Sequence, residues 1–72
     1  MFRAEFHLYC MRPVTSEVAA EMQLSFLDAF KDNMVDVVPN GKRVTVNIYG
    51  HEKTSKQAVS DVAKRFDCEV FG

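Results

Sequence analysis

The chain has 72 residues, a formal net charge of −1 and a hydrophobic share of 47% that includes six Phe. A chain this short holds one small core and buries only about 60% of the surface its unfolded form exposes, yet its apolar share excludes a disordered tail. Near-neutral charge gives no overall signature of nucleic-acid binding, and no apolar run suits a membrane span or a signal peptide, so the expectation is one cytoplasmic domain over residues 1–72 without membrane contact.

The opening FRAEFHLYCM places Phe2, Ala4, Phe6, Leu8 and Cys10 on one parity and Arg3, Glu5, His7, Tyr9 and Met11 on the other. That alternation predicts a strand whose first set enters the core and whose second forms a wet face or a binding face. Pro13 ends the strand, Thr15 or Ser16 offers a hydroxyl cap to a following helix, and Glu17 falls in the first turn, where the helix dipole favours negative charge. Val18, Ala19, Met22, Phe26, Ala29 and Phe30 recur at helical spacing as its core stripe. Ala20, Leu24 and Leu27 lie beyond the edge of that stripe. With Glu21, Asp28 and Lys31 as a polar rim, they are the expected partner-binding patch.

MVDVVPNGKRVTVNIYG predicts a hairpin. Asn40-Gly41 suits a type I′ turn with positive φ at both positions, which sets Pro39 against Lys42, Val37 against Val44 and Val35 against Val46. Ile48 extends the buried side, and Asp36, Val38, Arg43, Thr45, Asn47 and Tyr49 face the other way. Gly50 closes the strand. TSKQ then reads as a capping box between Thr54 and Gln57, opening a helix with Ala58, Val59, Val62, Ala63 and Phe66 as its stripe. DCEVF supplies a short last strand, Cys68 and Val70 on one parity and Glu69 and Phe71 on the other.

The order strand, helix, strand, strand, helix, strand predicts an α+β fold, the ferredoxin-like βαββαβ two-layer sandwich with an antiparallel sheet in order 4-1-3-2. Both helix stripes then cover one sheet face and leave the other open. In layout the chain resembles RNA-recognition motif domains, which stack single-stranded bases on aromatics of the two central strands. That resemblance implies His7, Tyr9, Asn47 and Tyr49 as stacking and edge-reading residues, with Arg3 and Arg43 near phosphates. The third-strand consensus of those domains is matched by GKRVTVNIYG only at Tyr49, and Tyr9 and Tyr49 fall at opposite ends of the sheet. The layout is also similar to that of small DinI-type modulators of recombinase filaments. Their second helix is acidic, whereas here it carries Lys56, Lys64 and Arg65.

Charge is unevenly spread. Residues 17–36 carry Glu17, Glu21, Asp28, Asp32 and Asp36 against Lys31, while residues 42–65 carry Lys42, Arg43, Lys53, Lys56, Lys64 and Arg65 against Glu52 and Asp61. Two solvated faces account for this; a surface that steers a charged partner or a head-to-tail neighbour is the sharper alternative. Two cysteines are too few for structural zinc, and no CxxC occurs, so no metal or cofactor is expected. Cys10 and Cys68 are expected buried, on neighbouring strands where the thiols can face each other, and reduced, with a disulfide or redox pair as the alternative. His7 points away from Cys10, and His51, beside Glu52, has no nearby nucleophile, so both read as surface histidines. The function expected is a small non-enzymatic interaction protein, a phage or prophage accessory factor or inhibitor in type, binding another protein or itself through the first helix or the open sheet face. Single-stranded nucleic-acid binding through that face ranks behind it.

Overall fold

The computed structural model describes residues 2–51 and 53–71; Glu52, named above beside His51, lies outside them. The elements run β1 (Phe2–Cys10), α1 (Ser16–Ala29), β2 (Met34–Asn40), β3 (Arg43–Gly50), α2 (Lys56–Lys64) and β4 (Cys68–Phe71). The strands form one antiparallel sheet in order β2-β3-β1-β4, the expected order read from the other edge. Strand alternation does what its residue types require: Phe6, Leu8, Cys10, Val44, Val46 and Ile48 are buried beneath Met22 and Phe26 of α1 and Val59, Val62 and Ala63 of α2. α1 packs chiefly on β2, and α2 on β4. No polar or charged residue is buried among the described residues, and no helix there is long and apolar enough to cross a membrane.

Both helices start at a hydroxyl cap. Thr15 Oγ1 accepts from the Val18 amide at 3.2 Å, as the sequence suggests. At α2 the cap is Ser55, whose Oγ accepts from the Ala58 amide at 3.4 Å, not Thr54. Gln57 therefore does not reach back to close a box. Its amide donates forward to Asp61 at 3.0 Å, the i,i+4 partner on the same helix face. The α1 stripe is also rotated from expectation, because Leu27 packs against the core while Ala29 is exposed.

The hairpin corrects the expected register. Asn40 pairs with Arg43 and Val37 with Val46, so the two loop residues are Gly41 and Lys42. Gly41 has φ +63°, and neither Asn40 nor Lys42 is left-handed, the sign pattern of a type II′ turn. The physical reason is Pro39. In the expected register it would close the hairpin opposite Lys42, where an N–H must be donated across the ladder, and proline has none. Moving the turn on by one residue puts Asn40 in the closing pair and turns the Pro39 nitrogen to the free edge. Opposing positions shift by two, so every side chain keeps its face, and Val44 stays buried. Gly41→Val is expected to destabilise by about 1–2 kcal/mol, because a β-branched residue must adopt a left-handed backbone, while Asn40→Val, at an exposed strand position, stays near neutral. Thermal melting of the two variants separates this turn from one needing positive φ at Asn40.

Gln23 gives the outer edge of β2 a further partner. Its side-chain amide donates to the Val35 carbonyl, and its Oε1 accepts from the Val37 amide at 3.2 Å. With Pro39 lacking a donor, that edge offers little to another strand. Gln23→Leu is expected to cost about 1–3 kcal/mol, the sum of two modest net hydrogen bonds, and to raise aggregation on heating, read by melting with light scattering.

Candidate interaction face

Alternation sends one side chain in two to the face opposite the helices, and the pairing register arranges these residues in rows. One row runs Met34, Tyr49, Arg3; the next runs Asp36, Asn47, Glu5. A third row, Val38, Thr45, His7, Phe71, crosses all four strands, and the last is Asn40, Arg43, Tyr9, Glu69. Tyr9 and Tyr49 thus lie six residues apart along β1, about 20 Å at strand rise. They cannot stack on adjacent bases.

Arg3, His7, Tyr9, Arg43, Asn47 and Tyr49, singled out from the sequence, all share this face. Met34, Val38, Glu69 and Phe71 join them, as strand parity requires. Met34 is 72% exposed, Val38 48% and Phe71 44%, high values for apolar side chains. The His7 and Phe71 rings stand 6.2 Å apart between centroids. Tyr9, Arg43, Glu69 and Phe71 bound a shallow pocket of about 340 Å³ at one corner.

The electrostatics of the face are mixed. Glu5 lies 3.9 Å from both Arg3 and His7 at partly exposed positions, where such pairs are worth little. Thr45 Oγ1 stands 3.5 Å from His7 Nδ1, at the outer limit of a hydrogen bond. In all, Arg3 and Arg43 meet Glu5, Asp36 and Glu69, which leaves the face without excess positive charge. Asn47 Oδ1, between the two carboxylate-bearing positions of its row, is shielded from solvent and has no hydrogen-bond partner among the described residues.

The first-helix patch is smaller than expected. Leu24 is 67% exposed and Ala20 is exposed beside it, with Glu21, Asp28 and Lys31 around them, but Leu27 is half-buried against the core. Leu24 is then the one exposed large apolar side chain of the patch.

The cysteines lie buried on neighbouring strands as expected, but they are bonded to each other, which corrects the expectation of free thiols. Cys10 donates its amide to the Lys42 carbonyl and Met11 to the Asp67 carbonyl, so the Cys10 backbone points to β3 and its pairing with Cys68 is a non-hydrogen-bonded one. In such pairs the strands approach most closely. Here the Cα atoms are 4.0 Å apart, and the facing sulfurs meet. Comparison with known protein families, curated proteins and solved structures finds no match to this chain.

Proposed function

We propose that the chain is a small non-enzymatic interaction protein of ferredoxin-like architecture, whose open sheet face docks a partner protein. The observation that carries this reading is the Val38, Thr45, His7, Phe71 row, which crosses the whole sheet on a face that no helix covers, with Tyr9 and Arg43 beside it. Exposed apolar and aromatic groups inside a rim of mixed charge fit the makeup of a protein interface. Strands about 4.8 Å apart and rows about 6.8 Å apart give a footprint on the order of 500 Å². Each side of a standard interface buries about 800 Å², so a complex formed on the face alone sits at the transient end. The first helix is the weaker candidate because Leu27 is committed to the core.

A specific feature favours a second reading. His7, Tyr9 and Phe71 sit close together beside Arg43, as a site for stacking one or two unpaired bases would require. Against it, the face carries two cations and three carboxylates, whereas phosphate binding needs excess positive charge. Capture from the native cell with tagged wild-type chain and with Val38→Asp/Phe71→Asp tests both readings. The account expects a protein partner that the variant loses and that survives a rise from about 0.1 to 0.5 M salt. Binding that reaches only single-stranded oligonucleotides and falls steeply with salt contradicts it.

The compartment stands on the disulfide. Such bridges persist in oxidising surroundings, and in a cytoplasm glutathione and thioredoxin work to reduce them. A cytoplasmic setting therefore requires the bridge to be cycled or protected.

A further inference from the structure

Cys10 and Cys68 form part of the wall of a groove of about 360 Å³ at the end of the sheet, shared with Val18 and Phe66 and edged by Arg12 and Asp67. That volume lies within the range of about 300–1,000 Å³ typical of small-molecule sites. The bridge is placed where it controls one element. β4 is only four residues long and pairs on one side, with β1. The chain enters it through Asp67 at φ 56°, a left-handed conformation that a non-glycine residue rarely adopts. β4 in turn carries Glu69 and Phe71 to the open face.

We propose that the Cys10–Cys68 bridge is a thiol-exchange site: a small thiol enters the groove, opens the bridge while the protein is folded, and so releases β4 from the sheet. The incoming thiolate attacks one bridge sulfur and forms a mixed disulfide with it. The other sulfur leaves as a thiolate and takes a proton from water. A second thiol attacks the mixed disulfide, departs as the small-molecule disulfide, and leaves the second cysteine as a thiol after protonation. Two thiols are oxidised to one disulfide, and the bridge gains two electrons. Both cysteines are only 2% exposed, so attack accompanies local movement of the short edge strand rather than unfolding of the domain. The proposal concerns β4 alone and is independent of what binds the open face.

The test uses reduced glutathione as the probe. Oxidised protein is incubated with it at several urea concentrations below the unfolding transition, quenched by alkylation and weighed intact. The expected result is a protein–glutathione mixed disulfide without urea, at a rate that changes less than about twofold up to the foot of the transition. A rate that climbs with the full urea slope of global unfolding, or no reaction until the chain unfolds, overturns the proposal. In the Cys10→Ala/Cys68→Ala variant, the Glu69 and Phe71 amides should exchange at least about tenfold faster than the Val46 amide. Equal protection at all three positions overturns the release of β4.

Discussion

Replacing Cys10 and Cys68 together by alanine lowers the melting temperature by roughly 15–30 °C. The bridge closes a loop with a sequence separation of 58, and in the chain-entropy account a loop of that length is worth about 4 kcal/mol against the unfolded state. For a domain of this size each kcal/mol shifts the midpoint by about 4–8 °C. A core of this length by itself seldom supplies more than about 3–5 kcal/mol. The bridge therefore contributes on the scale of the whole core, and the reduced chain stays folded at room temperature with little to spare. Scanning calorimetry of the oxidised chain and the double variant measures the effect. A shift below about 5 °C would mean that strain in the folded state offsets the loss of unfolded-chain freedom.

Phe26→Ala is the second large effect, with an expected loss of about 3–5 kcal/mol in urea unfolding of the oxidised chain. Phe26 is fully buried, and its ring lies nearly parallel to that of Phe30 with centroids 6.4 Å apart. Truncation leaves a cavity between α1 and the sheet, which close-packed neighbours fill only in part. Leu24→Ala, two residues earlier on the same helix, is expected to stay within about 0.5 kcal/mol because that side chain is already in water. The contrast separates core from surface on one helix. Comparable losses at both positions would show that Leu24 is covered in solution, as in a self-association through α1.

The architecture was legible because two periodicities, two and 3.6, are written cleanly along the chain. Strand order alone puts Cys10 and Cys68 on neighbouring strands, and the register sets them directly opposite each other. What parity could not provide was the bond between them. The expectation of reduced thiols came from the presumed compartment, whereas an antiparallel, non-hydrogen-bonded pair already brings facing side chains within reach. The turn was misplaced for a similar reason. Asn40-Gly41 outweighed the missing amide of Pro39, although proline's lost donor is also written in the sequence. Gln23 left no local signal, since its role depends on α1 lying over the outer edge of β2. Parity puts Phe71 on the outward side of the last strand, but a strand so short gives no sign that this ring completes a row across the sheet.

The central claim is that a partner protein sits on the open sheet face, and site-specific photo-crosslinking in the native cell tests it most directly. One variant carries the photoreactive side chain at Thr45, in the middle of the row that spans the sheet, and another carries it at Leu24, the exposed large apolar side chain of α1. The account predicts a discrete protein adduct from position 45 and none from position 24. Adducts from position 24 alone, or adducts from position 45 to nucleic acid alone, would contradict it.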